Sequence, residues 1–260
     1  MIERINIEKL NMKGCQYIQV YLPEGYYSSS RNFDVIYMHD GHNLFDINTS
    51  AFGMVWGIDK ILGKREKEKK KTYIIIGIEC PSMERYSIYS PWNCSFKNDY
   101  SVSLYDNLGG KGKEYAEWII EKLIPMVENR YRTSNQRYMA GSSMGGITTL
   151  YTGITYSNIF KGIGLFSPAI WFSKPEMIEF VKSFTKMNAS IYLDIGCKET
   201  SNEDIKNFKE IYLEDAREMK ELLVQKELKN MKYFEDSEGQ HNELFWSKRF
   251  NYFLDFIETL

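Results

Sequence analysis

Histidine is scarce in this chain, and so are cysteine, proline and any surplus of charge. The 260 residues hold 3 histidines, 4 cysteines and 6 prolines, and 33 basic against 35 acidic side chains leave a formal net charge of −2. Near-neutrality removes the basic footprint expected of a protein that binds nucleic acid or an anionic membrane surface. Cys15, Cys80, Cys94 and Cys197 lie far apart without CxxC or zinc-finger spacing. They read as free thiols in a reducing compartment and imply neither a disulfide framework nor a metal site. No apolar run approaches the roughly 18 residues of a membrane span, and the charged opening MIERINIEKLNMKG lacks the apolar centre of a signal peptide. The expectation is a cytoplasmic protein acting on a small molecule, without metal or cofactor. What is abundant is core material. With 43% hydrophobic and 15% aromatic residues, a chain of this length can bury a sizeable core.

Strand-like and helix-like runs alternate. CQYIQVYLP (15–23), FDVIYM (33–38), TYIIIGIE (72–79), RYMA (137–140), KGIGLF (161–166), SIYLDIG (190–196) and MKYFE (231–235) read as strands. The run at 72–79 is apolar almost throughout, as a strand buried on both faces must be. Helices are expected at 55–62, at 113–131 with a kink near Pro125, from Met144, at 209–229 and over the C-terminal LFWSKRFNYFLDFIETL. KREKEKKK (64–71) reads as a solvated helix end or loop. Residues 81–112 are too rich in Ser, Asn, Gly and Pro for one regular element, and their aromatic side chains suggest a pocket lining. This alternation, with no linker and no internal repeat, predicts an α/β fold over residues 1–260: a single domain, its mostly parallel sheet covered by helices on both faces.

Between RYMA and the helix from Met144 lies Gly141-Ser142-Ser143-Met144-Gly145. It fits G-x-S-x-G, a strand–turn–helix elbow whose small flanking residues lift the middle serine above the sheet. Only the frame centred on Ser143 has both glycines, since Ser142 would need them at Ala140 and Met144. A serine hydroxyl attacks only when a base takes its proton. In sheets that carry this elbow, an acid and then a histidine follow the serine. Of His39, His42 and His241, only His241 does. The acid should follow a strand closely; Glu199, just beyond Gly196, is the first choice, Asp194 the second, and Glu203 or Asp204 the third. An oxyanion would be met by the backbone N–H of Met144 and by a second amide from HDGHNLFD (39–46), that of His42 ahead of Asn43. His39, Asp40, His42 and Asp46 could also be read as metal ligands. That reading is the weaker one, because ligands so spaced in a turn need not converge.

YMHDGHNLFD, ERYSIYSPW, YMAGSSMGG, LFSPAIW, LDIGCKE and GQHNELFW occur in an order and spacing that resembles the Putative esterase family of α/β-hydrolases. That family includes enterobactin and other siderophore esterases, S-formylglutathione hydrolases, feruloyl and acetyl-xylan esterases, and mycolyltransferases. The resemblance spans about residues 15–255 and implies an α/β-hydrolase fold with Ser143 as nucleophile, Glu199 (in G-x-x-E) as acid and His241 as base. Many relatives carry LHG in the oxyanion loop, or DGQN, where this chain has HDGHN. Trp171 resembles a position near the family's substrate cleft; from the residues alone it is equally a packing aromatic. The expected activity is hydrolysis of a small acyl, feruloyl-type or siderophore ester through a Ser-His-Glu triad. Acyl transfer to an alcohol, and a non-catalytic ligand-binding module, are the alternatives.

Overall fold

The structure, a computed structural model, describes residues 1–12, 15–97 and 105–260. An eight-stranded sheet is built from β1 (Ile2–Asn6), β2 (Tyr17–Tyr21), β3 (Phe33–His39), β4 (Ile74–Ile78), β5 (Thr133–Ser142), β6 (Gly162–Phe166), β8 (Ser190–Gly196) and β10 (Met231–Asp236). Two-residue strands β7 (Lys186–Met187) and β9 (Glu227–Leu228) form a separate pair. The spatial order is β1-β2-β4-β3-β5-β6-β8-β10. β1 and β2 run antiparallel to their neighbours, and every pairing from β4 to β10 is parallel.

Strand alternation decides which side chain meets which layer of helices. Val35 and Tyr37 of β3, Ile74 and Ile76 of β4, and Ile191 and Leu193 of β8 belong to one apolar cluster. Their chain neighbours Ile36, Ile75 and Tyr192 belong to a second cluster on the opposite face. The first face is covered by α3 (Gly112–Trp118), α4 (Ile124–Arg130), α5 (Met144–Thr155), α6 (Lys174–Ser183) and α7 (Phe208–Val224); the second by α1 (Ile58–Lys67) and α8 (Glu243–Glu258). Every residue of β3, β4, β6 and β8 is buried, which is why these strands read as continuous apolar runs. Each buried isoleucine of β4 contributes about 2 kcal/mol of apolar transfer. This architecture is the α/β-hydrolase fold.

Several sequence expectations need correction. β1 was not anticipated, because its side chains alternate between exposed and half-buried and leave little apolar signal. Nor was α6, where Met177 and Val181, four apart, provide the buried contact. The segment 81–112 contains a helix, α2 (Ser82–Tyr89), that its composition hides; Ile88 and Tyr89 bury it. Residues 98–104 of that segment lie outside the described part of the chain. The charge run is only partly solvated. Arg65 is 3% exposed and pairs with Asp255 at 2.8 Å and with Glu258, tying α1 to α8. The irregularity near Pro125 is a π-helical turn at Ile119–Leu123, just before the proline whose missing N–H cannot complete the regular ladder. All four cysteines are free thiols, and among the described residues no helix is long and apolar enough to cross a membrane.

Candidate active site

β5 ends at Ser142 and α5 begins at Met144, so Ser143 alone makes the turn, with φ 54° and ψ −121°. A non-glycine residue tolerates this conformation only when its surroundings hold it. They do. The Ser143 N–H donates to the Phe166 carbonyl at 2.9 Å, and the Ser143 carbonyl accepts from Gly146 and Ala169, both at 3.0 Å. A Cβ at Gly141 would lie 2.5 Å from the Gly145 carbonyl oxygen and 2.7 Å from the His39 ring, so the first glycine of the elbow is a packing requirement. His39 lies buried beneath the turn, its Nδ1 2.9 Å from the Tyr115 hydroxyl. Burial lowers its pKa to about 3, so it stays neutral. Among the described residues no group of three or more His, Cys, Asp or Glu is arranged to hold a metal.

His241 lies on the connection between β10 and α8, and Glu199 on the loop after β8. They meet: His241 Nδ1 is 2.6 Å from Glu199 Oε2. Glu199 Oε1 accepts from the Gly196 N–H at 2.8 Å, the Ser167 hydroxyl at 2.5 Å and Arg249 Nη2 at 3.3 Å. Burial would raise this carboxyl, but the hydrogen bond and charge of His241, with Arg249 and Ser167, hold it below the ordinary carboxylate range. Gly196 permits the meeting. A Cβ there would stand 2.4 Å from the Gly239 carbonyl oxygen and 2.6 Å from Glu199 Oε1. The other acids are placed differently. Asp194 is fully buried, 3.4 Å from Arg249 Nη1, and burial raises it to about 7. Glu203 lines the cleft mouth and Asp204 is exposed.

Ser143, Met144, His241 and Trp171 line one cleft of about 410 Å³, together with Arg85 and Glu243. Trp171 lines this cleft and also packs edge-on against Phe96 and Phe208, each at 5.0 Å. His42 does not line the cleft; it lines a separate surface depression with Arg4, Tyr17 and Glu79. The turn carrying it is nevertheless rigid. Asp40 takes two hydrogen bonds from Arg85, at 2.9 and 2.8 Å, and its N–H donates to the Tyr89 hydroxyl at 3.0 Å. The Asn43 N–H is committed to the Asp40 carbonyl at 2.9 Å, and Asn43 Nδ2 donates to Glu243 Oε1 at 3.0 Å. That commitment argues against Asn43 as an oxyanion donor, and with His42 facing the other depression, Met144 is the expected donor that lines the cleft.

Four residues of the site escaped the sequence reading: Arg85, Ser167, Tyr212 and Arg249. Ser167, at φ 43°, accepts from Trp246 Nε1 at 3.0 Å and from Arg249 Nη2 at 2.9 Å, so it relays α8 to Glu199. Arg249 did leave a signal. It falls in the stripe Trp246, Phe250, Phe253 of α8, where a cation can stay only if acids wait for it. Tyr212, fully buried on α7, carries no such mark.

The protein YjcH of Bacillus subtilis (strain 168) is 29% identical over 232 residues, 87% of this chain and 85% of that protein. An IroE-like serine hydrolase from Shewanella oneidensis superposes with a TM-score of 0.71 at 21% identity, covering 96% of this chain and 78% of that one. The siderophore hydrolase EstA from Aspergillus nidulans gives 0.71 at 19% identity, covering 98% and 94%. The family model described as "Putative esterase" matches residues 11–257. A match of that extent places the chain in the Putative esterase family, as a carboxylic-ester hydrolase.

Proposed function

We propose that this esterase works through Ser143 as nucleophile, His241 as base and Glu199 as the acid that orients it, on a small acyl, feruloyl-type or siderophore ester. The observation that carries the reading is the 2.6 Å contact between His241 Nδ1 and a fully buried, ionised Glu199, in the cleft where the strained Ser143 sits. The carboxylate holds the ring proton on Nδ1, which leaves Nε2 free to take the Ser143 proton. Ser143 Oγ attacks the ester carbonyl, and the tetrahedral oxyanion is met by the amide of Met144, which lines the cleft beside Ser143, a donor worth about 3 kcal/mol in the transition state. His241 then protonates the departing alkoxide, and a water activated by the same nitrogen releases the acyl group from Ser143. The substrate class follows structural neighbours named as siderophore hydrolases, an enterobactin esterase and a ferulic acid esterase. Ser143→Ala should lower kcat on p-nitrophenyl acetate by up to about 10⁶-fold. Retention of a tenth of the activity would overturn the assignment. A panel of acetyl, feruloyl and catecholate esters, each assayed for hydrolysis, tests the substrate class.

A further inference from the structure

One buried group beside His241 has no part in the mechanism above. The Tyr212 ring lies 4.8 Å from the His241 ring, centroid to centroid. Its hydroxyl is 2.9 Å from Ser201 Oγ, 3.5 Å from His241 Nε2, and it interacts with the Ser143 side chain. Phe208, Trp171 and His241 surround the ring, and a phenylalanine would fill the same space. The hydroxyl is therefore what needs explaining. Burial pushes its pKa above the ordinary tyrosine range, against the opposing effects of Ser201, Trp171 and Ser143. It stays protonated, able to lend a hydrogen bond but not a proton.

We propose that the Tyr212 hydroxyl, oriented by Ser201, is a catalytic residue that donates a hydrogen bond to the leaving-group oxygen during acylation. This rests on the roles given above to Ser143 and His241. When the tetrahedral intermediate collapses, the bond from carbon to the leaving oxygen breaks and its electron pair goes to that oxygen. The proton on Nε2 moves to the same oxygen, while Tyr212 keeps its own. An oxygen that receives the Nε2 proton must lie about 3 Å from that nitrogen. A hydroxyl 3.5 Å from the same nitrogen can lie at hydrogen-bond distance from an oxygen so placed when the two sit on one side of Nε2.

The test compares leaving groups at constant acyl group: kcat/KM, which reports acylation, for p-nitrophenyl acetate and for ethyl acetate. p-Nitrophenolate departs as a stabilised anion and needs little help, whereas ethoxide needs much. Tyr212→Phe should lose about tenfold on the ethyl ester and less than about twofold on the p-nitrophenyl ester, the worth of one neutral hydrogen bond. Ser201→Ala, which frees the phenol to rotate, should shift the two substrates in the same direction by about threefold. It carries the test alone if Tyr212→Phe does not fold. Equal losses on both esters, or no loss on the ethyl ester, overturn the proposal. Labelling of Ser143 by a fluorophosphonate, which expels no alkoxide, should proceed at the wild-type rate in Tyr212→Phe; slow labelling would place the hydroxyl on the nucleophile instead and sink the leaving-group role. Turnover that survives Ser143→Ala would take down the serine mechanism itself, a result distinct from any of these.

Discussion

Glu199→Gln separates the carboxylate's charge from its shape. Its Oε1 accepts three hydrogen bonds, from Gly196, Ser167 and Arg249. In the variant the amide oxygen must occupy that position, because an NH₂ there would face three donors. The NH₂ is then driven to the place of Oε2, 2.6 Å from His241 Nδ1. It cannot accept the ring proton, so Nδ1 becomes the acceptor, the proton moves to Nε2, and Ser143 loses its base. The expected fall in kcat is on the order of 10⁴-fold, by analogy with the carboxylate-to-amide change in serine proteases, or about 5.5 kcal/mol. Breaking a buried pair costs about 3–5 kcal/mol of stability when the remaining charge is stranded. Arg249 is not stranded, since Asp194 remains 3.4 Å away, so the loss should fall at or below about 3 kcal/mol. Initial rates on p-nitrophenyl acetate, corrected by active-site titration, and thermal unfolding followed by circular dichroism measure the two effects. Asp194→Asn is the control and should keep kcat within about threefold, a lost hydrogen bond at most. A Glu199→Gln enzyme within tenfold of wild type, or an Asp194→Asn enzyme equally crippled, would refute the assignment of the acid.

Two further outcomes concern stability and pH. Asp194 and Glu243 are both raised to about 7 by burial. Between about pH 4 and 7 the folded chain therefore keeps protons that the unfolded chain releases, and stability falls as pH rises through that window. Asp194→Asn should remove roughly half of this slope in urea midpoints measured from pH 4 to 7.5; an unchanged slope contradicts the placement of that carboxyl. Arg85→Ala leaves Asp40, 4% exposed, without its cation. Although burial works to raise Asp40, Arg85 holds it below its ordinary value, so the ion pair contributes above the carboxylate range and is lost at lower pH. The variant should be less stable by about 3 kcal/mol at pH 7, with the gap narrowing toward pH 4 in calorimetry. A constant gap would speak against an ionised Asp40.

The parts legible in the sequence share one property: they depend on neighbours along the chain. Continuous apolar runs such as IIIGI announce strands buried on both faces, because every alternate side chain must find a core. G-x-S-x-G announces a strained turn, because a Cβ at Gly141 has no room. The scarcity of histidine left His241 as the one imidazole C-terminal to Ser143. What was hidden depends on side chains far apart in sequence. β1 and α2 carry little periodic signal, and docking on the sheet and on the aromatic cluster around Tyr89 makes them regular. The four candidate acids after Ser143 could be ranked only by distance from a strand end; three-dimensional packing brought Glu199 to His241 and buried Asp194 beside Arg249 instead.

Thus the sequence by itself determined the fold class and the elbow, since strand burial and a tight turn are local steric facts. Only the tertiary structure decided which acid meets the imidazole, that Arg249 and Ser167 support it from behind, and that the Tyr212 hydroxyl stands at Nε2. Those contacts join the loops after β6 and β8 to α7 and α8, up to 82 positions apart, and hydrogen-bond geometry over such separations exists only once the sheet has folded.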